Sequence, residues 1–475
     1  MNSLPSPPPF PDPTVPSVEK GFLKLGVMGK CVSILLLVVL LQIPLLMIGS
    51  LSGEREGRRN EAVADISKRW GGEQLLVGPI LVVPFTFEQT TTQDGSQGPR
   101  QLRRICRATA YFLPDTLDVN STLEPETRRR GIYDAVVYTS RIQIKGRFAA
   151  PDLRQVGVVP QEILWDEARV MLCLSDVQGL RSAPEWNWAG RKLTWQPGTR
   201  WGELKQGLHA VLPQLNPKTE YNEFDISLEL NGSGSLSCVP LGRHSAVSMK
   251  SPWADPSFTG AYLPDRRRVD ASGFEADWNL SHLARGLPQF WADNTGVDTP
   301  KAGEFTSCTI GVSLAHSVDS YRTMDRALKH GILFLALIFT AFFVFEMSSV
   351  PCLSALHYAL VGGALCLFYL SLLSLSEFLG FSAAYAISAA ASTVLISLYS
   401  SAILRSGARA LLILGGLILV YGYLYFVLQM QDYALLAGTA ALFVALGSIM
   451  WVTRRIRWKM TNDESTLGAP VVDSE

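Results

Sequence analysis

Residues 31–51 read CVSILLLVVLLQIPLLMIGSL, an uncharged run that crosses a bilayer as one helix, for which about 20 mainly apolar residues suffice. Pro44 does not break that reading, because lipid-embedded helices tolerate proline. Outward from this run the sequence becomes water-compatible, and it stays so through residues 52–329. Apolar runs then return at residues 330–347, 358–376, 381–404, 410–428 and 433–452, with short links. The pattern predicts a transmembrane α-helical bundle of six helices, one in front and five behind, plus a large extracytoplasmic domain.

Basic residues near helix ends set orientation. Lys20, Lys24 and Lys30 precede the first run, Arg405 and Arg409 lie between the fourth and fifth, and Arg454, Arg455, Arg457 and Lys459 follow the sixth. The alternate links, 377–380 and 429–432, carry no Lys or Arg. Six crossings put all three clusters on one side, so both termini are expected in the cytoplasm. Arg55, Arg58 and Arg59 oppose this, but a long domain translocates largely regardless of charge. The predicted organisation is a disordered proline-rich cytoplasmic tail (1–30), a first transmembrane helix (31–51), the domain (52–329), a five-helix bundle (330–453) and a cytoplasmic tail (454–475).

The chain carries 42 basic and 42 acidic residues. Zero net charge argues against a nucleic-acid partner, since such binders carry a basic excess. Cys106, Cys173, Cys238 and Cys308 are widely spaced in the domain, without the tight pairing of a zinc site. Their spacing leaves open whether they form disulfides or stay free. The histidines make no ligand pair, and no Gly-x-Ser-x-Gly elbow appears, so no catalytic, cofactor or metal residues are assigned.

Within the domain, short runs alternate apolar and polar residues between turn residues, the period-two signature of half-buried strands. Examples are 74–87, 104–112, 131–148, 168–174, 223–230, 246–249, 273–278 and 306–314. An all-β or mainly-β domain is expected. Tyr111–Asp115 and Ala261–Asp265 share Leu-Pro-Asp at an offset of 150, each near an arginine triplet (128–130 and 266–268), which points to two lobes. Trp186, Trp188, Trp195 and Trp201 crowd one stretch, either as a sugar-stacking surface or, more simply, as core. The apolar runs are almost free of charge; Ser374, Ser376, Tyr385 and Tyr399 are the candidate lining of a transport path.

Several stretches resemble the CreD family of bacterial inner-membrane proteins: Leu76–Pro84, Arg130–Tyr133, Pro256–Pro264 with Ser272–Trp278, Tyr321–His330 with Ala341–Glu346, and Tyr358–Gly362 with Leu373–Glu377. The resemblance implies a Gram-negative inner membrane, a periplasmic domain, and a role in cell-envelope integrity linked to the CreB/CreC two-component response. It supplies no catalytic residues. The leading expectation is a non-enzymatic protein in the lipid bilayer whose domain binds an envelope protein or glycan, with the bundle anchoring it or forming a homo-oligomer. The alternative is a transporter or channel-like protein for an envelope precursor or lipid. Residues singled out as functionally sensitive are Arg130, Tyr133 and Glu275 in the domain, Asp325 and Arg326 beside the second run, and Glu346 and Glu377 at helix ends.

Overall fold

The computed structural model describes residues 27–95, 98–155, 157–212, 215, 219–295, 299–314, 320–348, 354–404, 407–430 and scattered positions between 436 and 450. The proline-rich leader as far as residue 26, most of the sixth apolar run and the C-terminal tail lie outside the described residues. The chain divides into two compact units: Gly53–Asp319, and Met1–Ser52 together with Ser320–Glu475.

Helix α1, Val27–Trp70, joins the first apolar run to the charged stretch that follows it. Lys68 and Arg69 in its last turn complement the negative end of the helix dipole. It stops at Gly71, whose φ of 111° is open to glycine, and where a Cβ would lie 2.8 Å from the Asn231 carbonyl oxygen.

The Gly53–Asp319 unit is built from strands β1 Gln74–Gly95, β2 Gly98–Phe112, β3 Thr116–Arg130, β4 Tyr133–Ala149, β5 Pro160–Ile163 and β6 Arg169–Leu174. Next come β7 Glu185–Trp188, β8 Arg191–Lys192, β9 Gln196–Pro197, β10 Gly207–Val211, β11 Tyr221–Ser233 and β12 Ser235–Cys238. The last group is β13 His244–Ser251, β14 Ser257–Gly260, β15 Arg266–Asp270, β16 Gly273–Ser281, β17 Phe290–Ala292 and β18 Ile310–Ser313, with short helices α2 His282–Arg285 and α3 Ala302–Thr306 between them. One ten-stranded sheet runs β14-β18-β12-β1-β6-β10-β9, with β2 and β5 also on β1 and β17 on β2. One eight-stranded sheet runs β15-β16-β13-β3-β4-β11-β7-β8. A single buried cluster takes side chains from both sheets, from Ile80 and Leu81 of β1 to Ile144 of β4 and Trp278 of β16. The domain is therefore mainly β, as its alternating runs predict.

Both Leu-Pro-Asp copies are corners where the chain leaves the ten-stranded sheet for a hairpin of the eight-stranded one, β2 to β3 and β14 to β15. The Asp115 N–H donates to the Arg147 carbonyl at 2.8 Å, and the Asp265 N–H to the Asp277 carbonyl at 2.9 Å. The arginine triplets are not equivalent: Arg128–Arg130 close β3, whereas Arg266–Arg268 open β15.

In the other unit, α4 Ser320–Lys329 and α5 Gly331–Ser348 form a pair bent by 45°, followed by α6 Ala355–Leu379, α7 Phe381–Leu404 and α8 Gly407–Gln429. Among the described residues four helices are long and apolar enough to cross a membrane, five if the bent pair is one span. Gly362 lets α6 approach closely, since a Cβ there would collide with Leu41 of α1 and lie 2.9 Å from the Phe339 ring of α5.

Among the described residues the cysteines are free thiols: Cys31, Cys106, Cys173, Cys238, Cys308 and Cys366. Register explains why Cys173 and Cys238 do not pair. They flank β1 opposite Val77 and Leu76 respectively, and consecutive strand residues point to opposite faces. Burial pushes both thiols up to about 12.

Candidate functional site

The membrane unit sets a glutamate against a tyrosine at two stations on α6. At one, Glu346 near the end of α5 accepts from Lys30 of α1 and, at 3.0 Å, from the Tyr358 hydroxyl of α6. Its carboxylate is buried, while Lys30 keeps partial contact with solvent. At the other, the Tyr321 hydroxyl of α4 donates to Glu377 of α6 at 3.1 Å. Helical rise separates Tyr358 from Glu377 by roughly 28 Å, close to the ~30 Å of a hydrocarbon core, so each station sits near a boundary.

Between the stations the interior carries hydroxyls. Tyr385 donates to the Tyr421 carbonyl at 2.6 Å, and Ser392 lies 2.8 Å from the Tyr421 hydroxyl. The buried hydroxyls of Tyr369, Ser388 and Ser400 have no hydrogen-bond partner among the described residues. A groove of about 570 Å³ opens between α7 and α8, lined by Tyr385, Tyr421 and Tyr425 with Ser382, Thr393 and Gly422. No Asp, Glu, Lys or Arg interrupts the described spans between the stations.

The four residues proposed as a transport lining do not converge. Tyr385 lines the groove, Tyr399 stacks near His357 with ring centroids 6.1 Å apart, Ser376 donates to the Leu373 carbonyl of its own helix, and Ser374 is exposed.

The other sequence-selected residues fall into separate ion pairs. Arg130, at the tip of the β3–β4 hairpin, pairs with Asp65 of α1 and stands opposite Tyr133. Beside them Arg128 covers the Trp70 ring at 4.5 Å, and the Trp70 indole donates to the Tyr138 carbonyl at 3.2 Å. Glu275 pairs with Lys250 at 2.6 Å, and that contact holds the ammonium above its ordinary value. Asp325 pairs with Lys329 at 2.7 Å along α4, while Arg326 donates to Thr323 at 3.3 Å.

The tryptophans do not form a sugar platform. Trp186 and Trp188 are buried on β7 against Phe148, Phe224 and Trp195, and Trp201 packs among Tyr111, Trp291 and Phe305. Sequence reading missed two buried cations or bases. Arg285, pulled down to about 10 by burial, donates to the Pro240 and Gly242 carbonyls at 2.8 and 2.7 Å and to Gln289 at 2.6 Å. His209 contacts the Gly198 carbonyl through Nδ1 at 2.6 Å, and burial lowers its pKa. The only signal for either was a polar residue beside apolar ones. No cluster of three or more metal-ligating side chains occurs among the described residues.

Long apolar helices whose acidic and basic side chains are kept to their ends, carrying a mainly-β domain in the same chain, define an integral membrane protein. A family model described as inner membrane protein CreD matches residues 26–459, and the chain belongs to the CreD family. It is 35% identical over 438 residues to the inner membrane protein CreD of Escherichia coli (strain K12), covering 92% of this chain and 94% of that one. Among solved structures it is similar to native yeast LTA4 hydrolase at 11% identity and a TM-score of 0.19, over 49% of this chain and 35% of that chain. The bestatin complex of the yeast enzyme gives 12% identity and a TM-score of 0.20, over 61% and 52%. Scores this low bear on neither fold nor activity.

Proposed function

We propose that the chain is a six-span inner-membrane protein with both termini in the cytoplasm. Its mainly-β, two-lobed domain lies in the periplasm and binds an envelope component or partner protein. Through that binding it contributes to envelope integrity within a CreB/CreC-linked stress response, and the bundle anchors it or joins copies. One observation carries the choice of anchor over ion-coupled transporter. The described spans hold hydroxyls but no Asp, Glu, Lys or Arg between the two boundary stations, and coupled transport places carboxylates near the midplane.

The test is photo-crosslinking from the domain in cells under envelope stress, followed by mass spectrometry. A reproducible protein or glycan partner supports the reading; self-crosslinks alone overturn it. The α7–α8 groove favours a second reading, movement of a lipid or envelope precursor. Bundle-dependent flux in proteoliposomes tests that reading, and its absence counts against it.

A further inference from the structure

Strand β15, Arg266-Arg267-Arg268-Val269-Asp270, is the outer strand of the eight-stranded sheet and pairs only with β16 among the described residues. All five of its residues are exposed. Every second backbone N–H and C=O of such an edge faces away from its one partner, ready to pair with another chain. Strand β14, the outer strand of the ten-stranded sheet, ends at the same corner, 261–265, so both sheets are open at one end of the domain.

Side chains alternate across β15, which places Arg267 and Val269 together on one face. They line a cleft of about 560 Å³ with Pro256, Ser257, Phe258 and Leu263. Its apolar members are uncovered: Leu263 is 74% and Val269 46% exposed. Phe258 belongs to the core edge, its ring 5.9 Å from that of Phe274, so the cleft has a fixed floor. Of the three arginines, Arg268 pairs with Asp270 at 3.1 Å, whereas Arg266 and Arg267 have no ion pair among the described residues.

Edge arginines also discourage self-association. That role accounts for the charge but not for an adjoining cleft with an apolar floor. We infer that β15 and this cleft form a docking site for an extended acidic segment of a partner protein, added as a further strand with alternate apolar side chains in the cleft. Backbone pairing supplies affinity, the cleft selects apolar residues at every second position, and the unpaired guanidinium of Arg266, on the opposite face, selects acidic ones between them, with Arg267 adding positive charge beside the cleft. The inference deepens the partner-binding reading by naming the surface and the chemistry of the partner.

The test uses the full chain in nanodiscs and a fluorescein-labelled peptide alternating Glu and Val. Fluorescence anisotropy should show saturable binding. Arg266→Glu with Arg267→Glu should weaken it at least about tenfold, as loss of central charged contacts does. Arg154→Glu, a charge control elsewhere on the domain, should leave it unchanged. A peptide N-methylated at alternate residues, and one with Ser in place of Val, should both lose binding.

No binding of the Glu–Val peptide overturns the proposal. So does equal binding of a Lys–Val peptide. Undiminished binding of the N-methylated peptide, or equal competition by polyphosphate, would reduce the surface to a general anion patch and also overturn it. Circular dichroism of the double variant confirms folding, which exposed side chains should not affect. If the double variant still captures the same crosslinked partner in cells, the docking site is wrong while the partner-binding reading stands.

Discussion

Replacing Glu346 by Gln should strand the Lys30 ammonium among α1, α5 and α6. An exposed ion pair contributes about 0–1 kcal/mol, whereas removing one member of a buried pair costs about 3–5 kcal/mol. The Glu346 side chain is 6% exposed and that of Lys30 30%, so the stranded ammonium keeps part of its hydration. The expected cost therefore falls between the limits, at about 2–3 kcal/mol. Lys30→Met should cost at least as much, because it strands the more buried partner. Combining Lys30→Met with Glu346→Gln removes both charges and should recover most of the loss. What remains, about 1 kcal/mol, reflects a weaker acceptor for the Tyr358 hydroxyl. The assay is reversible unfolding in mixed micelles of rising dodecyl sulfate content, followed by the helical circular-dichroism signal, as a double-mutant cycle. A single-variant cost below about 0.5 kcal/mol, or a double variant no more stable than the sum of the singles, would refute a buried pair.

Other outcomes follow from the domain. His209 has a pKa below 6.5 when folded, so the unfolded chain binds the proton first; stability should be complete above about 6.5 and fall as pH drops through it. His209→Gln should flatten the melting temperature between pH 7.5 and 5.5, and an unchanged slope would show that His209 is not the group responsible. Arg285→Met leaves the Pro240 and Gly242 carbonyls without their donor and should cost about 2–5 kcal/mol, read by chemical denaturation; a cost under about 1 kcal/mol would mean water replaces the guanidinium. In the folded domain Cys106 should react with a water-soluble maleimide while Cys173, Cys238 and Cys308 resist, and reductant should not alter gel mobility; a slow-reacting Cys106 or a mobility shift would contradict the structure.

The sequence reveals much of this architecture because apolar runs in lipid and alternating runs in a sheet each leave a strong period. Where the period is diluted, elements are hidden. Strand β3 escapes notice because Ser121 occupies one of its inward positions, bonded to Ser140 at 2.8 Å, and because Pro125 and three arginines follow. At 306–314 a continuous strand is expected, yet α3 takes Thr306 and the strand starts only at Ile310; the Glu304 carboxylate, accepting from the Lys301 N–H at 3.1 Å, fixes that helical turn. Of the candidate residues, Glu346 and Glu377 are legible because a carboxylate in an apolar run needs a partner. Their partners are not, since Lys30 lies 316 positions from Glu346 and Tyr321 lies 56 from Glu377. Arg285 and His209 are illegible because only the folded packing buries them.

Strand β1 is made first but completed late. Its stretch from Leu76 to Phe85 is almost wholly buried, yet its neighbours are β2, then β5 beginning at Pro160, then β6 beginning at Arg169, then β12 beginning at Ser235. The β12 contact is parallel, so no hairpin can deliver it early. Such distant pairings slow folding, because loop closure must precede any gain from contact. Throughout that delay an apolar, β-branched segment, interrupted only by Pro79 and Pro84, stands open to other chains, and transiently exposed apolar surface favours aggregation. The growing polypeptide therefore needs shielding until residues beyond Ser235 arrive, which makes the yield of this protein in cells a matter of chaperone supply as much as of final stability.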